Sequence, residues 1–432
     1  MKILLMAGTN LADALSQILS LEGHDITATN DHPGTRRHGT KTIGFRDGRI
    51  DHLINEPWDL VLCPDTFTNR EGISDMFRRR GVPTIGAGQA GFRLELKDVG
   101  RKAFEEAGLK NPRWKAFTHK ADALNFVNSG EFNSFVVKFT ETNRGLRTTV
   151  CDDVADALHV LGKLQDGEVV IEERVDGHEL AMACYWDGQK FIPTVTTIEH
   201  KHLWPGGKGI LTPEMGTLVW YDPMPKFMDA FNALLNSPTA LYALKDYRGF
   251  IDINAIVTDD GDIVPLEFTA RFGVPQTDIM TALLNTPVRS YGEFLLSVAT
   301  GKGDPTLLHH LDKFAVGIVL AVCGYPYNMV YPDICNIGSP IRGFDQVNCH
   351  HTYGMVKEEN GRLVTAGAWI GCITGIGESV EQAQKQSLLN ARKVSFQDIV
   401  YREDIGDCFD PYFFESIGLM SEALYAKCCE VE

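Results

Sequence analysis

The sequence predicts a multidomain protein that is α/β at its N terminus and α+β in the rest of the chain. Three observations predict this. Short apolar runs alternate with helical patterns over about the first ninety residues, which is typical of parallel βαβ units. Beyond about residue 180, strand patterns follow one another with antiparallel character. The chain has 432 residues, which is enough for several domains of roughly 100–200 residues each.

The N-terminal pattern predicts a Rossmann-like domain over residues 1–95. The predicted strands are Ile3–Ala7, Trp58–Pro64 and Pro83–Gly86, and the predicted helix is Leu11–Leu21. Loops that follow parallel strands form the ligand crevice of such a sheet, so Gly8–Asn10 and Pro64–Thr66 are expected to lie there. Because Gly8–Asn10 does not continue as Gly-x-Gly-x-x-Gly, a dinucleotide-binding dehydrogenase is disfavoured.

The rest of the chain divides at about Lys313 into a middle section and a C-terminal section. The predicted strands are Phe135–Phe139, Glu168–Glu172, Leu180–Tyr185, Phe191–Thr197, Phe250–Val257, Ile263–Phe268, Phe314–Val322 and Ala366–Thr374. The predicted helices are Val99–Ala107, Val154–Leu164, Lys226–Leu235 and Val380–Val394. Trp204–Thr217 is predicted to be a loop that carries Gly and Pro, and Asp259–Asp262 a hairpin turn.

Charge and composition limit the kinds of molecule that the protein is expected to bind and the compartment in which it is expected to act. The formal net charge is -16, which repels nucleic acid and anionic membrane, so we expect small-molecule substrates. The ten cysteines include no Cys-x-x-Cys pair, and free thiols in a reducing compartment are the simplest interpretation. No apolar stretch approaches the ~20 residues that span a bilayer. A cytoplasmic protein, monomeric or homodimeric, is the expectation.

One segment suits an adenosine site. A predicted strand ends in Glu172-Glu173, and Glu179 follows after a turn. The backbone at the strand end can pair with an adenine edge, and the later acid can accept hydrogen bonds from ribose hydroxyls. Lys138 ends a buried strand, where a charge is unfavourable unless it meets an anion. Lys97 opens a helix after a glycine turn, so both lysines are candidates for phosphate contacts.

Two further segments carry candidate chemistry. Asn254 and Glu267 lie on the two strands of the predicted hairpin, which would place both side chains on one face of it. Their oxygens can there bind Mg²⁺ between nucleotide phosphates. Arg271 can then neutralise charge on a transferring phosphoryl group. His200 and Lys201 precede a glycine-rich segment and are candidates on the substrate side.

These segments resemble the phosphoribosylamine–glycine ligase family of ATP-grasp enzymes, and the likeness extends over nearly the whole chain. The segments that match best are Ile171–Glu179, Glu199–Lys201, Leu266–Phe268 with Arg271–Gly273, Gly317–Ala321 with Gly324–Pro326, and Tyr401–Gly406. The resemblance implies an ATP-grasp core over 96–312, with its nucleotide-binding subdomain at about 115–180, and a small C-terminal domain over 313–432. It also implies that ATP and Mg²⁺ (or Mn²⁺) activate glycine as an acyl phosphate, which phosphoribosylamine then attacks.

Chemistry and resemblance together predict the role of each site residue. Lys97 and Lys138 contact the ATP phosphates; Glu172, Glu173 and Val175 line the adenine; Glu179 holds the ribose; Glu267, with Asn254 or Thr269, holds the metal; Arg271 steadies the acyl phosphate; and His200 and Lys201 lie on the substrate side.

The chain departs from the family where substrates bind. The family's Gly-Gly-Arg-Glu-His-Ala loop is replaced by Gly8–Asp13, and its glycine-rich lid by Phe139–Arg147, in which Arg144 or Arg147 could cover the phosphates. The family's Glu-Phe-Asn becomes Glu267-Phe268-Thr269. Two alternatives therefore stay open. One is a divergent ligase that joins glycine or another amino acid to a different amine, and the other is a nucleotide-binding relative without catalysis.

Overall fold

A computed structural model of the protein describes residues 1–7, 11–30, 41–44, 50–139, 148–163, 167–222, 224–284, 290–326 and 336–429. The predicted crevice loop at residues 8–10 and most of the predicted lid, residues 140–147, lie outside the described residues. Among those described, no helix combines the length and the apolar composition needed to cross a membrane.

The N-terminal region forms a parallel sheet with helices around it, as predicted. Its strands are β1 (Lys2–Leu5), β2 (Asp25–Asn30), β3 (Lys41–Gly44), β4 (Leu60–Leu62) and β5 (Thr84–Ile85), and its helices are α1 (Leu11–Leu21), α2 (Ile50–Asn55), α3 (Thr66–Arg70), α4 (Ile73–Arg79) and α5 (Gly88–Phe92). The strand order is β3-β2-β1-β4-β5, and each neighbouring pair is parallel. The order reverses between β1 and β4, which is where such sheets bind ligands. After β4, the Pro64 carbonyl accepts a hydrogen bond from the Phe272 amide at 3.1 Å, so this edge touches the middle of the chain.

The next region is a smaller antiparallel sheet. It contains α6 (Lys97–Glu106), β6 (Trp114–Phe117), α7 (Lys120–Asn128), β7 (Phe135–Phe139), β8 (Thr148–Cys151), α8 (Val154–Gly162) and β9 (Val169–Glu173). The strand order is β6-β9-β7-β8. Alternate residues such as Phe135, Val137 and Ile171 pack with α7 and α8 in one apolar cluster. The opposite face carries Lys138 and Glu172, because side chains alternate along a strand.

The largest sheet runs through the middle and C-terminal parts of the chain. Its strands are β10 (His178–Trp186), β11 (Phe191–Glu199), β14 (Gly216–Trp220), β15 (Gly249–Val257), β16 (Ile263–Thr269), β17 (Phe314–Val322), β18 (His350–Tyr353), β21 (Trp369–Gly377) and β22 (Ile399–Val400), and the hairpins are β12 (His202–Trp204) with β13 (Lys208–Leu211) and β19 (Val356–Glu359) with β20 (Arg362–Thr365). The helices of this part are α9 (Pro225–Ala233), α10 (Pro238–Leu244), α11 (Gln276–Leu283), α12 (Tyr291–Ala299), α13 (Val380–Ala391), α14 (Pro411–Ser416) and α15 (Glu422–Cys429).

The order of this sheet is β16-β15-β10-β11-β14-β17-β21-β18, with β22 beside β17. The predicted boundary at about residue 313 therefore falls between strands of one sheet, because β14 pairs with β17. One face packs on α9, α10 and α13. The other face packs on α1, α11 and α12, which joins it to the N-terminal region.

The prediction that Trp204–Thr217 forms a loop is wrong, because this segment contains most of the hairpin β12–β13. Trp204 pairs with Lys208 across the turn. Gly206 and Gly207 both have a φ of 69°, a left-handed conformation that glycine adopts without strain. The glycines that suggested an open loop thus reverse the chain between two short strands.

Candidate active site

A buried ion triad joins the small sheet to α6. The Glu172 carboxylate accepts hydrogen bonds from Arg101 Nε at 2.8 Å and Nη2 at 2.6 Å, and it lies 2.8 Å from Lys138 Nζ. All three side chains are at least nine-tenths buried. Burial lowers the pKa of Lys138 to about 8, although Glu172 acts in the opposite direction. Two cations share one anion, so the triad carries an excess positive charge that favours a bound anion.

A second group of charges lies beside the triad, where α6 meets β16. Lys97, the first residue of α6, forms an ion pair with Glu267. Burial alone would raise the pKa of Glu267, but Lys97, Lys201 and Lys138 together lower it well below its usual range. Three lysines that are far apart in sequence therefore act on one carboxylate.

Lys201 forms ion pairs with two glutamates, of which Glu179 is a predicted site residue. Its Nζ lies 2.6 Å from Glu179 and 3.1 Å from Glu199. Although burial favours the neutral amine, these two carboxylates raise the pKa of Lys201 well above its ordinary value. Glu179, predicted to hold a ribose, is engaged by Lys201 in this structure.

The predicted metal-binding pair is correctly placed on one face. Asn254 and Glu267 lie directly opposite each other in the register of β15 and β16. Asn254 Nδ2 donates to Glu199 at 3.2 Å, whereas its buried Oδ1 has no hydrogen-bond partner among the described residues. That orphaned amide oxygen beside a carboxylate suits a hard divalent cation. Thr269, the alternative ligand, gives its side-chain hydrogen bond to Asp252.

Arg271 follows β16 and is partly exposed at the edge of this group. Its Nε lies 3.9 Å from Glu95 Oε1, and its Nη1 donates to the Phe272 carbonyl at 3.0 Å. Burial raises the pKa of Glu95, and Arg271 offsets part of this shift. The guanidinium therefore keeps hydrogen-bonding capacity for another anion.

The structure does not bring every predicted residue to this group. His200 Nε2 accepts from the Gly406 amide at 3.2 Å, and burial followed by the charge of Arg402 lowers its pKa to about 4. The ring is thus neutral and faces the C-terminal segment. The Glu173 carboxylate is held by Arg113 at 2.6 and 2.8 Å, and Val175 lies in the turn after β9.

Two residues of the site were missed at the level of sequence. Arg101 resembles an ordinary basic residue of a helix, and no local pattern indicates that it is buried. Asp252 carried a usable signal, since an ionisable residue in the middle of the apolar run Phe250–Val257 is unfavourable unless it has a purpose. Burial raises the pKa of Asp252 well above its ordinary value, and Glu199 adds to this shift.

Comparisons with family models and with known proteins identify relatives of this chain. The model of the phosphoribosylglycinamide synthetase ATP-grasp (A) domain matches residues 96–277, and that of the C domain of the same enzyme matches residues 315–408. A phosphoribosylamine–glycine ligase from Nostoc sp. is 27% identical over 375 residues, which cover 83% of this chain and 86% of the relative. The corresponding protein of Leifsonia xyli is 28% identical over 434 residues, covering 94% and 99%.

A solved structure has the same fold. The phosphoribosylamine–glycine ligase of Thermotoga maritima aligns with a TM-score of 0.76 at 24% identity, covering 94% of this chain and 100% of that one. Two sheets that meet at a cluster of lysines and glutamates, in a chain matched by an ATP-grasp model, define an enzyme of the ATP-grasp ligase class. Within that class, the chain belongs to the phosphoribosylglycinamide synthetase family, whose two domain models together cover more than half of it.

Proposed function

We propose that this protein is an ATP-dependent carboxylate–amine ligase that joins glycine to phosphoribosylamine. A carboxylate oxygen of glycine attacks the γ-phosphorus of ATP, and ADP leaves. The amine then attacks the carbonyl of the acyl phosphate, and phosphate leaves as the amide forms. The observation that carries this proposal is the convergence of Lys97, Lys138 and Lys201 on Glu267. Such a set can neutralise polyphosphate and hold a metal in the same place.

The nucleotide would lie between the two sheets. The triad of Arg101, Lys138 and Glu172 has an excess positive charge, which supports Lys138 as a phosphate contact. Lys97 opens α6, so phosphate oxygens near it would also meet the positive end of the helix dipole. We propose that the turn after β9, with Glu173 and Val175, lines the adenine, and that Glu179 turns from Lys201 to the ribose when nucleotide binds.

Glu267 and Asn254 would hold Mg²⁺ or Mn²⁺. These two side chains would place the ion beside the phosphates, where it would supply positive charge for the transfer of the γ-phosphoryl group. Lys97 forms an ion pair with the same Glu267 carboxylate. Arg271 would then steady the acyl phosphate, because its guanidinium is partly exposed beside this group.

The three-part division of the chain also belongs to this proposal. Residues 1–95 would contribute the crevice after β1 and β4 to the amine side, residues 96–312 would hold the nucleotide, and residues 313–432 would complete the large sheet behind the site. We propose that the enzyme acts on these small molecules in the cytoplasm as a monomer or homodimer.

The test is release of ADP and phosphate from MgATP with glycine and freshly generated phosphoribosylamine, compared with a panel of other amino acids and amines. Turnover that depends on both first-choice substrates supports the proposal. Turnover with a different pair would identify a divergent ligase instead. Absence of ADP from every pair, with nucleotide still bound, would contradict the proposed catalysis.

A matched pair of lysines on one helix sharpens this test. Lys97→Met should lower kcat/KM for ATP by roughly 100-fold or more, because a charge that contacts the reacting phosphates is removed. Lys102→Met, on the same helix with its side chain 65% exposed, should leave kcat/KM within about threefold of the wild type. Equal effects of the two substitutions would contradict a phosphate role for Lys97.

A further inference from the structure

The residues on either side of Lys201 are both hydrogen-bonded to a segment near the C terminus. The carbonyl of His202 accepts from Arg402 Nη1 at 2.8 Å. The Nε2 atom of His200 accepts from the Gly406 amide at 3.2 Å. These two partners lie 200 and 206 residues further along the chain, so a segment that is distant in the sequence holds the backbone around Lys201 from both sides.

Arg402 and Asp404 form a bidentate ion pair whose carboxylate also reaches the turn of the hairpin β12–β13. Arg402 donates to the two carboxylate oxygens of Asp404 at 2.8 and 2.7 Å, and the same carboxylate accepts from the Gly206 amide at 2.8 Å. Burial disfavours the charged carboxylate, but the hydrogen bonds from Arg402 and Gly206 lower the pKa of Asp404 to about 2. Asp404 is therefore charged throughout the neutral range. We call Arg402 and Asp404 the hairpin clamp.

Lys201 lies at the base of the same hairpin. Its carbonyl accepts from the Thr212 amide at 2.7 Å and from Thr212 Oγ1 at 2.8 Å. The hairpin clamp thus contacts the hairpin next to its base, through Arg402, and at its turn, through Asp404. Each of these contacts has one charged partner, and such hydrogen bonds are roughly twice as strong as neutral ones. The hairpin clamp therefore restricts the position of the hairpin, and of Lys201 with it.

The position of Lys201 matters because three carboxylates depend on its charge. Its Nζ lies 2.6 Å from Glu179 and 3.1 Å from Glu199. Burial raises the pKa of Glu267, and Lys97 and Lys201 are the two largest influences that lower it. A displacement of about 1 Å in a group that acts on the reacting atoms can lower a rate by roughly 100-fold. Among the described residues, the hairpin clamp is hydrogen-bonded to the hairpin and to none of these three carboxylates, so its effect on them passes through Lys201.

We propose that Arg402 is a positioning residue of the ligase reaction, which holds Lys201 at these carboxylates through the hairpin β12–β13. The inference rests on the proposed function and adds to it a role for the C-terminal region. The planar guanidinium binds the Asp404 carboxylate and the His202 carbonyl at the same time, whereas a lysine at position 402 has the charge without the fork. Loss of the fork loosens Lys201 but removes no group that contacts the nucleotide, so kcat falls and the KM for ATP does not.

The test compares the same substitution at two arginines, with the pair of substrates that supports turnover. Arg402→Lys lowers kcat by roughly 100-fold and leaves the KM for ATP within about threefold of the wild type. Arg392→Lys is the matched control. Arg392 lies 3.2 Å from Glu403, between the two residues of the hairpin clamp, but both side chains are more than half exposed. Because exposed ion pairs contribute little, this control leaves kcat within about threefold.

A double-mutant cycle separates the positioning of Lys201 from a general loss of structure. Lys201→Met lowers kcat by itself, because it removes the charge that the hairpin clamp positions. In the Lys201→Met background, Arg402→Lys then lowers kcat by less than about threefold, since residues that act as a unit have non-additive effects. The slow turnover of these variants is followed by the release of phosphate from radiolabelled ATP.

Hydrogen–deuterium exchange gives a second readout, which does not need turnover. The amides of Gly206 and Thr212 are hydrogen-bonded to Asp404 and Lys201, so they are protected in the wild type. Exchange of the peptide that covers residues 201–212 becomes faster by roughly tenfold or more in Arg402→Lys, because the hairpin opens more often. It keeps the wild-type rate in Arg392→Lys.

Three outcomes overturn the proposal. The first is a wild-type kcat in Arg402→Lys. The second is a further loss of roughly 100-fold when Arg402→Lys is added to Lys201→Met, which would mean that Arg402 acts on the fold as a whole. The third applies if no pair of substrates releases ADP, in which case the proposed function fails separately. Hydrogen–deuterium exchange then decides: faster exchange of residues 201–212 in Arg402→Lys alone supports the hairpin clamp, and equal exchange in the wild type and both arginine variants overturns it.

Discussion

Two adjacent glutamates, each paired with an arginine, should respond very differently to the same substitution. Glu172 and its partner Arg101 have side chains that are 2% and 1% exposed, whereas Glu173 and Arg113 are 34% and 58% exposed. We predict that Glu172→Gln lowers the free energy of unfolding by roughly 3–5 kcal/mol, because it leaves buried cations without their counter-charge. Glu173→Gln should lower it by less than about 1 kcal/mol, as for exposed ion pairs.

The magnitude follows from the contacts of the Glu172 carboxylate. It accepts from Arg101 at 2.6 and 2.8 Å and from Lys138 at 2.8 Å, and hydrogen bonds to charged groups contribute about 1.5–3 kcal/mol each. A glutamine oxygen can keep one of these bonds, but its amide group presents N–H donors to the remaining cation. The loss of about two such bonds agrees with the predicted range.

The assay is urea unfolding followed by tryptophan fluorescence, with both variants measured beside the wild type at neutral pH. The two substitutions lie at adjacent positions and make the same chemical change. Effects on stability that come only from replacing a glutamate by a glutamine therefore cancel in the comparison. If the two substitutions change the unfolding free energy by amounts within about 1 kcal/mol of each other, the Glu172 carboxylate is not the buried centre of a triad.

Three other substitutions test the site. Lys138 has a pKa of about 8, and kcat/KM reports the protonation state of the free enzyme, so kcat/KM for ATP should fall as the pH rises through about 8. Lys138→Arg keeps the positive charge at high pH and should remove that fall. A wild-type kcat/KM that stays constant up to pH 9.5 would argue against the phosphate contact. Glu267→Ala should reduce kcat by roughly 100-fold or more with a circular dichroism spectrum like that of the wild type, whereas normal turnover with Mg²⁺ would remove its metal role. His200→Gln should leave kcat/KM within about threefold, because the ring is neutral and faces Gly406; a 100-fold loss would instead make His200 a catalytic residue.

Much of the fold could be predicted because its strands are short apolar runs with clear limits. The strands at Phe135–Phe139 and Phe314–Val322 have the predicted bounds, and the hairpin of β15 and β16 places Asn254 opposite Glu267 as expected. The hairpin β12–β13 was missed because its strands are only three and four residues long and the Pro205-Gly206-Gly207 segment between them suggested an open loop. The turn of this hairpin also contacts a residue that is distant in the sequence: the Asp404 side chain accepts a hydrogen bond from the Gly206 amide at 2.8 Å.

The site was only partly predictable for a related reason. Lys138 and Glu267 stood out because each lies near the end of a strand, and Lys97 because it begins a helix. These positions alone suggested an anion or a metal. The partnership of Glu172 with Arg101 depends on how α6 packs on the small sheet, which no local pattern encodes.

The most direct test of the central claim follows oxygen from the carboxylate into phosphate. Glycine labelled with ¹⁸O in both carboxylate oxygens is incubated with MgATP, the enzyme and the amine that supports turnover, and the released phosphate is analysed by mass spectrometry. Because the carboxylate oxygen forms the bond to phosphorus and stays with it when the amine attacks, each phosphate should carry one ¹⁸O for each ADP formed. Phosphate without the label would mean that water, rather than the carboxylate, attacks ATP, and would contradict an acyl phosphate mechanism for this protein.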